Sequence, residues 1–312
     1  MKISILTLNP GIDRIIYLPT PARLGTLNRS SHTVVNQGSK GANVAIMLKT
    51  LGADPHYFTF TGGDMGPLSD SFTERAGIRA CTTPTAAGVR MNVKVIDSEG
   101  GCTEFNERGG PVTEQELNTL LDALKNDKPD VVVMNGSLPQ GAPADVYKCI
   151  INHFREQGAV TVLDCDGMAM RHGLEARPTL VKPNRRELAG MVDCEEEQLD
   201  TLHKVFHACK KVHDAYGCAV ICTLDEQGSV YYDGAESYHV TPAPVELKGF
   251  SGAGDTYLSA YIYKRFIQCT TIPEALSYAS AAAGAKVALP GTTLPGIAEI
   301  QSLVEKVSVR EI

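Results

Sequence analysis

KGFSGAGDTYLSAYIYKRF, residues 248–266, sets a glycine-rich turn directly before a run with helical spacing. Gly252, Ala253 and Gly254 let the backbone turn sharply and leave its N–H groups unshielded. Leu258, Ala260, Tyr261, Ile262 and Phe266 then recur as they would in a packed helix, predicted over residues 256–266. A loop feeding a helix N-terminus is a ready anion site, because unpaired N–H groups and the helix dipole converge there. Asp255 stands in that first turn. It reads equally as a capping acid favoured by the dipole or as a carboxylate placed where an anion is handled. Other motifs in the chain must separate the two.

The chain has 312 residues, enough for one large α/β domain with or without a small appendage. Hydrophobic residues make up 43% and charged residues 21%, as in an ordinary soluble globular protein. A net charge of −7 argues against nucleic acid or an anionic membrane as partner, since both need basic patches. An anionic ligand must therefore be held by a few local lysines, arginines and helix ends. The opening MKISILTLNP is too short and poorly flanked for a signal peptide, and no apolar run reaches membrane-span length. Nine scattered cysteines, odd in number and without a CxxC pair, disfavour a disulfide framework or a zinc site. A reducing, cytoplasmic location is expected.

Short apolar runs at residues 3–8, 131–134, 160–163, 180–181 and 219–222 read as buried strands. Helical segments lie between them, at 41–51, 114–125, 145–157, 195–216 and 273–287. That alternation predicts an α/β fold with a mostly parallel sheet covered on both faces. Ligands of such sheets bind in the loops outside the C-terminal strand ends. GSLPQG, VKPNRREL and TLDEQG fall in those places. Residues 13–35 and 88–105 break the rhythm. The second has a Ser-Glu-Gly-Gly turn between two strand-like arms, and together they predict a small sheet standing off the main domain.

Several polar clusters have both a functional and an ordinary reading. Gln37-Gly38-Ser39-Lys40-Gly41-Ala42-Asn43 opens a helix, so Lys40 and Asn43 either hold ligand oxygens or belong to a plain turn. The spacing is not that of a Walker A loop. Arg90, Asn92 and Lys94 alternate on one strand face, which suits a phosphate or simply solvent. Asn184 and Glu187, three apart after Lys182, start a helix. Glu187 can organise water around a magnesium ion or act as an N-terminal helix acid. Asp13, after the first strand, accepts sugar hydroxyls or ends a turn. His203, His207 and His213 lie in a charged helix and read as surface residues.

Jointly these stretches resemble the ribokinase-like carbohydrate kinases of the phosphofructokinase-B family. GSKGANVA and SGAGDTYLSAY are the strongest marks. TLNPGID, GVRMNVKV with TEFNERGG, GSLPQG and VKPNRREL narrow the likeness to the branch of 1-phosphofructokinase and tagatose-6-phosphate kinase. The matches run in family order from Thr7 to Gly291. The resemblance implies one ribokinase-like three-layer kinase domain over residues 1–312, with a β-sheet lid from about 13–35 and 88–105. It makes Asp255 the general base and Gly252, Ala253 and Gly254 the cradle of the transferred phosphoryl group. Asp13, Gly38, Lys40, Asn43, Arg90, Asn92 and Ser137 become sugar-phosphate positions. Lys182, Asn184, Thr223, Gly228, Ala279, Ala283 and Gly284 become ATP positions, and Glu187 holds Mg2+ through water. A homodimer joined through the lids is also implied.

Three positions depart from the family pattern. Ser39 replaces a glycine of GGKG and is expected to touch the sugar and influence its choice. Asp225 replaces the glycine of TLGxxG. Lys248-Gly249-Phe250 replaces the stretch associated with a monovalent cation, so that requirement is left open. The expected activity is ATP-dependent phosphorylation of a ketohexose phosphate, fructose 1-phosphate to fructose 1,6-bisphosphate. The alternatives are tagatose-6-phosphate kinase or a sugar-phosphate-binding regulator without turnover.

Overall fold

The computed structural model describes all residues except Phe250 and Thr292. The chain runs β1 (Ile3–Thr7), β2 (Gly11–Tyr17), β3 (His32–Gln37), α1 (Lys40–Thr50), β4 (His56–Thr61), α2 (Gly66–Arg75) and β5 (Arg79–Pro84). It continues through β6 (Arg90–Ile96), β7 (Cys102–Asn106), α3 (Glu114–Asp127), β8 (Val131–Asn135), α4 (Val146–Glu156), β9 (Val160–Asp164) and α5 (Gly167–Glu175). Next come β10 (Leu180–Val181), α6 (Arg185–Met191), α7 (Leu202–Tyr216), β11 (Ala219–Thr223), β12 (Ser229–Tyr232) and β13 (Ser237–Thr241). The last elements are α8 (Ala253–Ile262), α9 (Ile272–Val287), α10 (Ile297–Val304) and β14 (Ser308–Glu311).

The large sheet has the order β14-β13-β12-β11-β10-β9-β8-β1-β4-β5. From β5 to β11 every pairing is parallel, and β12 to β14 extend it antiparallel. Residues of one strand alternate between two cores. Leu6, Val132 and Met134 pack with α3 to α7, while Ile5, Val131 and Val133 pack with α1, α8 and α9. With both faces covered, the strands read as continuous apolar runs. This is the three-layer α/β fold expected. The second sheet, β3-β2-β6-β7, stands apart, with β2 and β6 parallel. Its strands lie within residues 11–37 and 90–106, each end within two residues of the stretches expected from sequence.

The helix expected over 195–216 is interrupted. Residues 196–199 form a short 3-10 turn, and Thr201 then caps α7 by accepting from Lys204 N at 3.3 Å. Along α7, His203 and His207 are exposed, but His213 is half-buried and bonded to the Cys218 carbonyl at 2.9 Å. Among the described residues no helix is long and apolar enough to cross a membrane.

Candidate active site

The turn at 251–254 sits where the sequence places it. Gly252 is the N-cap of α8 with φ 82, a left-handed conformation that favours glycine. The N–H groups of Ala253, Gly254 and Asp255 open the helix and have no intrahelical acceptor. Asp255 is 8% exposed, and its Oδ2 accepts from Asn43 Nδ2 in the first turns of α1 at 2.9 Å. Burial, and then Asp164 nearby, push Asp255 above the ordinary carboxylate range, against the pull of Lys40, Asn43 and Lys182. A capping acid at a helix start would normally stay in water. This one is withdrawn from it and raised.

Cations converge beside it. Lys182, buried at the end of β10, places Nζ 3.6 Å from Asp164 Oδ2. The same Nζ lies 3.4 Å from where a Cβ on Gly254 would be, which sets the ammonium directly against the α8 turn. Lys40, the first residue of α1, lies 3.2 Å from Asp164 Oδ1 and 3.7 Å from Glu187 Oε1. Asp164 raises Lys40 above the usual lysine range, with Glu187 and Asp255 adding to the effect against burial. Burial pushes Asp164 up, but Lys182 and Lys40 more than reverse this and hold it below its ordinary value. Asp164 was not anticipated, although an acid ending a buried strand at residues 160–164 was a usable signal. It is the hub that aims both lysines at the α8 turn.

Asn184 and Glu187 combine their two readings. Asn184 Oδ1 accepts from Glu187 N at 2.8 Å, and Glu187 Oε2 accepts from Asn184 N at 2.9 Å, a capping box on α6. That leaves Glu187 Oε1 facing Lys40. Asp164 Oδ2 is buried with no hydrogen-bond partner. These two oxygens suit a hydrated divalent cation carried in with phosphates, and no cluster of three acidic, histidine or cysteine ligands exists among the described residues.

Facing this centre is the lid. Asp13 on β2 is buried and bonded to Asn92 Nδ2 at 2.9 Å and Lys94 Nζ at 2.7 Å. A Cβ on Gly38 would collide with Asp13, which explains the glycine. Lys94 also donates to Ser251 Oγ at 2.9 Å, so it ties the lid to the α8 turn and is already neutralised by Asp13. The row of Arg90, Asn92 and Lys94 is therefore split. Arg90 binds the Glu107 carbonyl at 2.7 Å through one nitrogen, while its buried Nε has no partner. Burial lowers Arg90 from the usual arginine value. Ser137, after β8, accepts from Asn9 Nδ2 at 3.0 Å.

Ser39 differs from expectation. Its hydroxyl accepts from Gly11 N at 2.9 Å and donates to Gly11 O at 3.3 Å, and the residue is buried. The side chain is engaged by the backbone of β2.

On the other side of Lys182, Thr223 N donates to Pro183 O at 3.0 Å, which sets Thr223 beside Asn184. A Cβ on Gly228 would collide with the Val240 carbonyl. Asp225 is exposed with φ 51, so it adopts the conformation glycine favours, which Asp tolerates better than most residues. Ala283 is half-buried and Gly284 packs near Leu303, while Ala279 is fully buried in the core. Phe250 lies outside the described residues.

A buried carboxylate at an amide-lined turn, flanked by two lysines and tied to the lid through Lys94 and Ser251, suits phosphoryl transfer. The pfkB family of carbohydrate kinases matches residues 6–299. This chain belongs to the pfkB family. It is an ATP-dependent sugar kinase. Among pfkB relatives, it is 28% identical to the 1-phosphofructokinase of Bacillus subtilis over 83% of this chain and 84% of that one. It is 29% identical to the 1-phosphofructokinase of Escherichia coli K12, over 84% and 83%. Its fold superposes on phosphofructokinase-2 from E. coli, solved in complex with potassium, with a TM-score of 0.90 at 25% identity, covering 97% and 98%.

Proposed function

We propose that this pfkB kinase phosphorylates fructose 1-phosphate to fructose 1,6-bisphosphate at the cleft between the lid and α8. The observation that carries the reading is the raised, buried Asp255 beside the free N–H groups of the α8 turn. Asp255 takes the proton of the acceptor hydroxyl, which demands hydrogen-bond reach and a basicity above that of an exposed carboxylate. Asn43 fixes the rotamer of Asp255. The N–H groups of residues 253–255, with Lys182 and Lys40, stabilise the charge on the transferred group. Asp13 and Asn92 meet sugar hydroxyls, and the unpartnered Nε of Arg90 meets the phosphate already on the sugar.

ATP lies along Asn184, Thr223, Gly228 and Ala283. Glu187 Oε1 and Asp164 Oδ2 would hold Mg2+, mostly through water, and that ion supplies charge neutralisation at the phosphates when bound. The likeness to two 1-phosphofructokinases supports the choice of fructose 1-phosphate. A dimer through the lids and a cytoplasmic location fit this reading, although the E. coli phosphofructokinase-2 also has a tetrameric inhibited form.

A coupled assay of ADP release with a panel of phosphosugars tests it. The highest kcat/KM is expected with fructose 1-phosphate. A higher value for tagatose 6-phosphate would reassign the substrate, and absence of turnover with tight sugar-phosphate binding would make the protein a regulator.

A further inference from the structure

One buried charge plays no part in this scheme. Lys286, in the last turn of α9, is 1% exposed. Its Nζ donates to the Gly291 carbonyl at 2.8 Å. It lies 3.4 Å from where a Cβ on Gly249 would stand, a position that the Leu289 and Gly291 carbonyls also crowd. Its Cε is 3.5 Å from where a Cβ on Gly252 would be. No carboxylate pairs with it among the described residues, and the charged group that bears on it is Lys94, which repels it.

The ordinary reading is a lysine that satisfies carbonyls past a helix end. Such lysines keep the ammonium in water, and full burial without a counter-charge is costly. Here the ammonium is inside, bonded to the Gly291 carbonyl, with the Leu289 carbonyl sharing the space beside Gly249 and the stem lying against the N-cap of α8. Backbone carbonyls are the donor type that holds a monovalent cation, and here an ammonium of the chain itself stands among them.

We propose that Lys286 is a built-in monovalent cation, an ammonium that positions Gly249 and the Gly252 turn and places positive charge behind the α8 amides. It is a positioning residue, and it rests on the reading of that turn as the phosphoryl cradle. The enzyme then needs no added potassium or ammonium. Burial and Lys94 push Lys286 down to about 8, so it is charged at neutral pH, at a cost to the folded state.

The test compares the parent with Lys286→Met, which keeps the stem, and Lys286→Ala, which opens the pocket. Turnover, ATP affinity by calorimetry and melting temperature are measured in potassium, ammonium and tetramethylammonium chloride. The parent should be indifferent to the salt. Lys286→Met should lose about thirtyfold in kcat, with little change in the sugar-phosphate KM, and should melt no lower than the parent, because a buried uncompensated charge has been removed. Lys286→Ala should regain at least about tenfold in ammonium but not in tetramethylammonium, as expected when a lost point charge is replaced. A parent that requires added potassium, or a Lys286→Met protein with parental kcat, would overturn the proposal. So would a loss in Lys286→Ala that no salt restores, accompanied by a lower melting temperature, since Lys286 would then be structural. If the parent turns over no sugar phosphate, the functional reading fails. Lys286 is then judged on whether Lys286→Met weakens ATP binding and Lys286→Ala recovers it in ammonium.

Discussion

Asn43 and Asp255, 212 residues apart, are joined by a 2.9 Å hydrogen bond from the Asn43 amide to Asp255 Oδ2. The bond links the starts of α1 and α8, the two helices that carry the family's strongest sequence marks. It leaves Asp255 Oδ1 for a hydroxyl. Asp255→Asn should keep the fold and ligand binding while turnover falls by about two to four decades, the usual range for a lost general base. Near-parental turnover in that variant would remove Asp255 from the role.

The raised pKa of Asp255 fixes the sign of two pH effects. Activity needs the ionised form, so kcat/KM should fall as pH drops through a value above the ordinary carboxylate range. Stability runs the other way for this group. Between its unfolded and folded pKa values the native state holds the proton more tightly, so ionisation at higher pH costs stability. Asp255→Asn should therefore melt at or above the parental temperature at pH 7. A kcat/KM profile flat down to ordinary carboxylate pH would sink this account.

Asn43→Ala removes a donor that favours the ionised form of Asp255. The acid limb of kcat/KM should move to higher pH, and turnover at pH 7 should drop more than the KM for either substrate rises. If only the KM values change, Asn43 serves binding and not the orientation of the base.

Legibility in the sequence followed the range of the signal. The amide turn at 252–254 was readable because glycine spacing and helix period are local. The central parallel strands β1 and β8 to β11 were readable because burial on both faces makes them apolar runs, whereas β4 and the edge strand β5, which carry polar residues and in β5 are largely exposed, were not. Asp164 was not, because its place at the end of an apolar strand is its one local mark and its partner Lys40 is distant in the chain; Lys286 was not, because a lysine near a helix end looks the same whether it is buried or in water. The antiparallel β12 to β14 lacked the βα rhythm that identified the other strands. The bonds of Ser39 to Gly11 were not legible, because a hydroxyl beside glycines looks the same in sequence whether it faces a ligand or a neighbouring strand.

Arg90→Ala should weaken sugar-phosphate binding far more than ATP binding. The lost charge-assisted contact is worth on the order of 2 kcal/mol, roughly thirtyfold in affinity. Calorimetry with each ligand separately measures it. Unchanged affinity for the sugar phosphate would mean that the buried Nε of Arg90 serves the lid alone.

Ser39 decides whether the departure from the family's second glycine concerns the ligand or the scaffold. Its hydroxyl spans the N–H and carbonyl of Gly11, at the point where β2 enters the lid. Removing it takes the acceptor from the Gly11 N–H, while the Gly11 carbonyl keeps its bond from Gly38 N at 3.0 Å, and glycine adds chain entropy to the unfolded state. Ser39→Gly should cost about 1–2 kcal/mol of stability and loosen the strand that carries Asp13. A looser lid should raise the KM of fructose 1-phosphate and tagatose 6-phosphate together, leaving the ratio of their kcat/KM values nearly constant and the KM for ATP little changed. Ser39→Ala should show the same parallel response. A changed ratio between the two sugars would show that the Ser39 hydroxyl, despite its bonds to Gly11, takes part in choosing the sugar.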